Sequence, residues 1–297
     1  MNHLFAPPAS PIIFRGKSHT FTTPWVMGIV NATPDSFFSG SRCFDEEAVA
    51  HRVRELVDQD VDAIDVGACS TRPGAPVVSA DEELRRLRMC LPVVRREAPE
   101  VPLSVDTFHA QVARVAVEEL EADMINDISG GDMDACMAAT MAQLQVPYIV
   151  MHTRGTPETM QQLTAYDDVV ADVLQDLHDK LARLRDAGVS NLIADPGFGF
   201  AKTIDQNYQL LQHLDSFHRL GVPLLVGVSR KSMITRVLEV DAAHALNGTT
   251  TLNTIALLQG AHILRVHDVR PAVEARTLVQ RMAAAGTQAK YESLNTK

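Results

Sequence analysis

The sequence predicts an α/β protein with the fold class of a (β/α)8 TIM barrel, in a single domain with a short N-terminal hairpin. From Trp25 onward, short apolar runs alternate with longer amphipathic segments, as expected for parallel strands joined by helical crossovers. Eight such units occupy about 250 residues, the usual size of this barrel. No break in composition divides the chain. The rival is an open doubly wound sheet, but the GxGxxG motif typical of its dinucleotide-binding members is absent.

The predicted elements follow from this alternation. In chain order, the strands are 25–30, 62–67, 102–106, 123–128, 147–151, 192–196, 223–227 and 262–266. The clearest helical segments are 45–60 and 166–188, and a further helix near 270–285 follows the last strand. The predicted boundaries are an N-terminal extension over 1–24 with a hairpin near 14–21, the barrel over 25–285 and a polar C-terminal tail over 286–297.

Composition narrows the class of partner. The net charge of −10 and the pI near 5.5 argue against nucleic acid or an anionic membrane as the main partner. No apolar run reaches the roughly 18 residues of a membrane span, and the first 24 residues lack a secretory signal layout. The four cysteines show no CxxC pair or metal-ligand spacing. We therefore expect a cytoplasmic protein, and a small anionic ligand is compatible with this composition.

Polar residues follow nearly all the predicted strands, and in a (β/α)8 barrel these strand ends share one rim. They are Asn31, Asp106, Asn126, Asp127, Asp195, Arg265 and His267, together with 70–76 and 229–232. Taken singly, an Asp or Asn after a strand is commonly an N-cap, and a histidine such as His152 or His267 can be a core residue. Taken together, they predict one pocket at the carboxyl rim.

The types of side chain indicate what this pocket binds. Four cationic groups, Arg72, Lys231, Arg265 and His267, suit a phosphate or pyrophosphate. The acceptors Asp106, Asn126 and Asp195 suit a ring with N–H donors, such as a pterin or a purine. The neutral oxygen of Asn31 suits Mg2+ bound partly through phosphates and water. In 195–200, two glycines stand among aromatic residues, so Phe198 or Phe200 is expected to line a pocket for a flat ring.

Eight stretches in this order resemble the dihydropteroate synthase family over residues 25–284. They are MGIVNATPDSF, DVGACSTRPGA, PLSVDTF, MINDISGG, IVMHTRGTP, IADPGFGFAKT, VGVSRKSMI and ILRVHDVRP. The resemblance implies a folate-biosynthesis transferase that condenses a dihydropterin pyrophosphate with p-aminobenzoate and releases pyrophosphate. It also implies Mg2+ as cofactor, a homodimer and inhibition by sulfonamides.

The resemblance also assigns roles to individual residues. The catalytic residues would be Asp106, Lys231, Arg265 and His267. The pterin would be held by Asp106, Asn126, Met151, Asp195, Phe200, Gly227 and Lys231. The pyrophosphate would contact Thr71, Arg72, Arg265, His267 and Asn31, and Asn31 would also bind the metal. The p-aminobenzoate pocket would comprise Phe37, Pro73, Lys231 and Ser232.

Two departures from the family pattern affect the details. Ala68 and Cys69 stand where Gly-Gly-Glu is frequent, and Ser39 replaces the usual acid of the first loop. They bear on magnesium binding and loop closure more than on the reaction. The alternatives are a pterin-dependent methyltransferase and a pterin-binding paralogue without catalysis.

Overall fold

The structure is a computed structural model that describes residues 10–32, 46–69 and 78–286. In this part of the chain, β1 (Ile12–Phe14) and β2 (Lys17–His19) pair antiparallel as a hairpin. Eight further strands share one parallel sheet: β3 (Trp25–Asn31), β4 (Ala63–Gly67), β5 (Leu103–Asp106), β6 (Met124–Asp127), β7 (Tyr148–Met151), β8 (Leu192–Asp195), β9 (Leu225–Val226) and β10 (Ile263–Val266). The predicted strands are all present, within a residue or two of their expected bounds.

The sheet closes on itself, which confirms the barrel and rules out the doubly wound rival. Its hydrogen-bonded order is β8-β7-β6-β5-β4-β3-β10-β9. The two end strands then meet through a parallel bridge between Ala194 and Leu224, where the Ala194 amide donates to the Pro223 carbonyl at 2.9 Å. A closed parallel sheet collects the carboxyl ends of its strands on one rim.

Helices cover the outside of the barrel. They are α1 (Glu46–Asp58), α2 (Ala80–Glu97), α3 (Ala110–Glu118), α4 (Met137–Leu144), α5 (Val169–Asp186), α6 (Ile204–Gln212), α7 (Ser232–Thr235), α8 (Leu246–Leu258) and α9 (Val269–Gly286). Side-chain caps mark the starts of some of them: Asp168 accepts from two amides of α5, and Thr203 forms a capping box with Gln206 at α6. None of the described helices is long and apolar enough to cross a membrane.

Two apolar layers hold the barrel together. The outward side chains of the strands, such as Val26, Leu264 and Val266, pack against the helices in one continuous core. A second cluster fills the amino-terminal end of the barrel and includes Met27 and Ile263. Because a buried aliphatic side chain contributes about 1.5–3 kcal/mol, these layers account for much of the stability of the fold.

The N-terminal hairpin closes the end of the barrel opposite the carboxyl rim. Ile12, in the hairpin, and Phe21, just after it, are buried within the amino-terminal cluster. The Ile13 amide donates to Asn191 at 2.8 Å, and Arg15 pairs with Asp123. The predicted hairpin is therefore confirmed. The predicted C-terminal tail lies outside the described residues apart from Gly286, at the end of α9.

Candidate active site

The parallel register brings the predicted polar residues to one level of the rim. Asn31 pairs with Gly67, Gly67 pairs with Asp106, and Asp106 pairs with Asn126 across four adjacent strands. Met151 pairs with Asp195 in the same way. Asn31 and Asn126, nearly 100 positions apart in the chain, thus lie in one row across the sheet because parallel pairing aligns the strands.

A charged centre occupies the inside of the barrel just below this rim. Arg265 projects inward from β10, donating from Nε to Asp65 at 2.6 Å and from Nη2 to Asp106 at 3.0 Å. Asn126 donates its amide to the same Asp65 oxygen at 3.1 Å. Burial opposes the charge on Arg265, but Asp65 and Asp106 outweigh it and raise the pKa of the guanidinium. The centre therefore contains one cation between two carboxylates.

Asp106 retains an unused acceptor. Its Oδ1 is buried and accepts no hydrogen bond from the described residues. Burial raises the pKa of Asp106 to about 7; Arg265 opposes the shift, and the nearby carboxylates of Asp65 and Glu83 add to it. A buried acceptor without a hydrogen-bond partner is costly. Such an oxygen is suited to receive an N–H group from a ligand.

A third carboxylate and a lysine lie close enough to this centre to interact with its charges. Asp195, at the end of β8, accepts the Gly197 amide at 2.7 Å; burial raises its pKa, and Lys231 opposes that shift. Lys231 follows β9 and donates to the Phe198 carbonyl at 2.6 Å. Its Nζ lies 4.8 Å from the centre of the Phe200 ring. Burial lowers the pKa of Lys231 to about 8, and Asp195 acts in the opposite direction.

Apolar surface faces these charges. Met151 packs with Phe108 and Ile128, and the half-buried ring of Phe200 joins them. Phe198 is fully buried in the outer core, so Phe200 is the aromatic residue of this loop that reaches the pocket. Gly227 adjoins both residues: a Cβ there would lie 3.8 Å from Lys231 Nζ and from Arg265 Cβ, at ordinary van der Waals distance. The wall suits one face of a flat ring.

An outer pocket of about 340 Å³ adjoins β3 and β10. It is lined by Ile29, Val30, Asn31, Arg52, Arg230, His267 and Asp268. Arg230 donates from Nε and Nη2 to the two carboxylate oxygens of Asp268, and Arg52 donates to the His267 carbonyl at 2.6 Å. These pairs fix the rim of the pocket.

His267 differs from the sequence prediction in its charge. Burial, with Arg265 and Arg230 nearby, lowers the pKa of His267 to about 4, so the ring is neutral at pH 7 in the ligand-free protein. The Ser229 hydroxyl lies 3.0 Å from Nδ1 and also accepts the backbone amide of His267 at 3.2 Å. With its own proton directed to Nδ1, Ser229 favours the tautomer in which Nε2 carries the hydrogen. His267 then offers a neutral N–H donor.

The residues present fit a magnesium ion held mainly through a ligand. Among the described residues, no group of three His, Cys, Asp or Glu side chains could enclose a metal. Asn31 is half-buried and lines the outer pocket beside His267. One neutral oxygen matches the way Mg2+ is bound, with few protein ligands and the rest from phosphates and water.

Of the remaining predicted residues, the structure describes Ser232 and leaves the others outside its described ranges. Ser232 is exposed at the start of α7, next to Lys231. Phe37, Ser39, Thr71, Arg72 and Pro73 lie outside the described residues. Ala68 is fully buried in the core between the strands and the helices, and burial raises the pKa of the half-buried Cys69 thiol.

Sequence reasoning included Ser229 in the rim segment 229–232 but gave neither Ser229 nor Asp65 a definite role, and it did not identify Lys202. The signal for Asp65 was available, because strand alternation in AIDVG puts it on the same face as Ala63 and Gly67. Asp127 is not part of the cavity. It accepts from Ser129, Gly131 and the Tyr148 hydroxyl, and so holds the loop after β6.

Comparisons with known proteins agree with this site. The sequence model of the family described as "Pterin binding enzyme" matches residues 27–267. The dihydropteroate synthase of Escherichia coli K12 is 41% identical over 282 residues, which cover 94% of this chain and 98% of that protein. The Bacillus subtilis enzyme is 39% identical, covering 88% of this chain and 89% of the relative.

Solved structures give the same result. The Xanthomonas albilineans dihydropteroate synthase with 4-aminobenzoic acid superimposes with a TM-score of 0.84 at 39% identity, covering 92% of this chain and 98% of that one. The Yersinia pestis enzyme, in a sulfonamide drug complex, gives 0.84 at 38% identity, with 92% and 99% covered. The fold and the site thus define a pterin binding enzyme on a (β/α)8 barrel. Within that class, the chain belongs to the dihydropteroate synthase family of folate biosynthesis.

Proposed function

We propose that the protein condenses 6-hydroxymethyl-7,8-dihydropterin pyrophosphate with p-aminobenzoate to give 7,8-dihydropteroate and pyrophosphate. Its relatives bear the name of this activity over nearly their whole length. The observation that carries the proposal is the arrangement around Arg265. This cation contacts Asp106 and Asp65, and Asp195 and Lys231 lie close enough to interact with these charges.

The inner cavity would hold the pterin. Asp106 and Asp195 offer buried carboxylate oxygens to ring N–H groups, and Asn126 offers an amide that Asp65 orients. Lys231 can donate to an oxygen or nitrogen acceptor of the ring. The apolar wall of Met151 and Phe200 would cover one face, and Gly227 adjoins Lys231.

The outer pocket would hold the pyrophosphate. His267 offers a neutral N–H, and Arg265, two residues earlier in the chain, would be a second contact. Thr71 and Arg72 are proposed as further contacts. Asn31 would bind Mg2+, which neutralises developing negative charge on the leaving oxygen when it is bound.

The reaction would be a substitution in which departure of the leaving group precedes attack. The bond between the pterin methylene and oxygen breaks, and pyrophosphate departs with the electron pair. The lone pair of the arylamine then forms the new C–N bond, and its surplus proton passes to solvent or to pyrophosphate. The amine is already neutral at pH 7, so no dedicated general base is needed. The Asp106 carboxylate would stabilise the cationic pterin, and Arg265 and His267 would stabilise the leaving group.

The second substrate would enter beside Lys231 and Ser232, with Phe37 and Pro73 completing its pocket. We also propose a cytoplasmic homodimer. Exposed apolar side chains on the neighbouring helices α8 and α9 support the homodimer: Leu246, Leu258, Leu278 and Met282. Sedimentation of the wild type against Leu278→Glu would test it, with a loss of mass in the variant expected.

The activity itself is tested by mixing the purified protein with dihydropterin pyrophosphate, p-aminobenzoate and Mg2+. We expect dihydropteroate and pyrophosphate to appear in equal amounts, and neither to appear when p-aminobenzoate is omitted. Binding of the pterin with no pyrophosphate release would instead identify a non-catalytic paralogue. Methyl transfer from a methylated pterin to a corrinoid would identify the methyltransferase alternative.

A further inference from the structure

Lys202 is a buried lysine that the proposed mechanism does not use. Its side chain is 4% exposed, and burial lowers its pKa well below the usual value while Asp195 acts in the opposite direction. A buried lysine is retained only when its hydrogen bonds are satisfied. Three acceptors surround Nζ at 2.9 Å: the carbonyls of Gly197 and Phe200 and the Nδ1 of His152. They match the three N–H groups of an ammonium.

The two carbonyls belong to the loop after β8, residues 196–202, which forms one wall of the pterin cavity. The backbone of this loop is unusual, with positive φ at Gly197, Gly199 and Ala201. At Gly197, a Cβ would lie 2.0 Å from the His152 carbonyl, so β7 and the loop approach too closely for any side chain there. Such a conformation persists when surrounding groups determine it. Lys202 stabilises this conformation by donating hydrogen bonds to the Gly197 and Phe200 carbonyls.

The same loop sets three groups in the cavity. Its Gly197 amide donates to Asp195, its Phe198 carbonyl accepts from Lys231, and its Phe200 ring lies beside the Lys231 ammonium. Lys202 contacts none of these side chains in the hydrogen-bond network. Instead, it fixes the carbonyls of Gly197 and Phe200, one residue before and two residues after the Phe198 carbonyl that receives Lys231.

We propose that Lys202 is a positioning residue for pterin binding: by holding the Gly197 and Phe200 carbonyls, it keeps Asp195, Lys231 and Phe200 in the arrangement that the pterin requires. This inference rests on the proposed function. His152, neutral and fully buried, provides the third acceptor and ties the loop to β7. The assignment concerns substrate binding and not the chemical step, because the Lys202 side chain is buried and donates to the loop backbone.

Lys180 provides a matched control. It is also a buried lysine, 2% exposed, and it lies on α5, where it pairs with Asp132 and Asp176 and donates to the Ser129 carbonyl. It has no hydrogen bond to the loop after β8. Lys202→Met and Lys180→Met each remove one buried ammonium and should lower the melting temperature. A structural role predicts that both variants retain their affinity for the pterin.

The experiment measures the Kd of 6-hydroxymethyl-7,8-dihydropterin pyrophosphate by calorimetry, and the KM of both substrates, for wild type and both variants. We expect Lys202→Met to weaken pterin binding at least tenfold while the KM for p-aminobenzoate changes less than threefold, and Lys180→Met to bind the pterin as wild type does. An unchanged pterin Kd in Lys202→Met would overturn the proposal. If that variant does not fold, Lys202→Gln, which keeps an N–H donor, must still weaken binding at least threefold. Failure of the wild type to bind the pterin would instead refute the proposed function.

Discussion

Arg265 and Asp106 are joined by a hydrogen bond of 3.0 Å inside the barrel, although 159 positions separate them in the chain. The bond connects the end of β10 with the end of β5, and Asp65 on β4 accepts from Nε of the same guanidinium. These three residues lie at the site proposed for the pterin, and His267, two residues after Arg265, lines the outer pocket proposed for the pyrophosphate. The predictions below start from this connection.

Replacing Arg265 with glutamine should reduce kcat/KM for the pterin pyrophosphate by about 10²–10³, the usual effect of losing one preorganised electrostatic contact. The substitution also removes the cation that opposes the pKa shift of Asp106, so the acid limb of the pH profile should move to higher pH. Arg270→Gln is the control, because Arg270 makes an exposed pair with Asp60. A kcat/KM within threefold of wild type for Arg265→Gln would contradict the assignment.

Asp106→Asn should abolish turnover and yet stabilise the protein at alkaline pH. The pKa of Asp106 in the folded protein, about 7, lies above the ordinary value of about 3.9, so the folded state binds the proton more tightly. Wild-type stability therefore falls as pH rises from about 4 to about 7, and the asparagine variant escapes this loss.

After allowing for the lost partner of Arg265, we expect a net gain of roughly 1–2 kcal/mol at pH 8. The melting temperature of the variant relative to wild type, measured at pH 5 and pH 8, checks the sign. An advantage that shrinks toward pH 8 would show that Asp106 is stabilising as a carboxylate.

Lys231 should set the alkaline limb of activity. Its pKa of about 8 implies that kcat/KM for the pterin declines above that pH as the ammonium loses its proton. Lys231→Arg should lower the rate but retain the charge, so its profile should stay level up to about pH 10. The same alkaline limb in the arginine variant would assign the titration to another group.

His267 should act as a hydrogen-bond donor and not as a cation in the free enzyme. Because its pKa is lowered to about 4, titration of this ring should not appear between pH 5 and pH 8 in kcat/KM for the pterin pyrophosphate. His267→Asn, which keeps an N–H donor, should retain several-fold more activity than His267→Leu. Equal losses in the two variants would show that the donor is unimportant.

Sulfonamides should inhibit competitively with p-aminobenzoate, because the sulfanilamide ring carries the same arylamine. The Yersinia pestis relative has been solved in a sulfonamide drug complex. Initial rates at several p-aminobenzoate concentrations check the prediction. Inhibition unaffected by p-aminobenzoate would contradict the pocket proposed beside Lys231 and Ser232.

The fold could be predicted closely because the patterns that indicate strands and helices lie within short segments of the sequence. Each strand is a short apolar run, and each helix carries an apolar stripe, so the barrel follows from their alternation. Convergence of Asp106, Asn126 and Asp195 then follows from topology, since parallel strands end on one rim. The partners of Arg265 could be anticipated only in part, because strand alternation gave the direction of Asp65 but not its contact.

The charge of His267 and the role of Lys202 could not be predicted from the sequence. A histidine pKa depends on burial and on cations such as Arg230, which come together only in the folded protein. Lys202 acts through the backbone carbonyls of a loop that contains residues with positive φ, and through His152, which lies 50 positions away in the chain. No periodicity or motif spacing reports such contacts.

The most direct test of the account is a crystal structure of the protein with 6-hydroxymethyl-7,8-dihydropterin pyrophosphate and Mg2+. We expect the ring N–H groups within about 3 Å of Asp106 and Asp195, with the pyrophosphate toward His267 and Asn31. A pterin bound away from the carboxyl rim, or a pyrophosphate remote from Arg265 and His267, would contradict it.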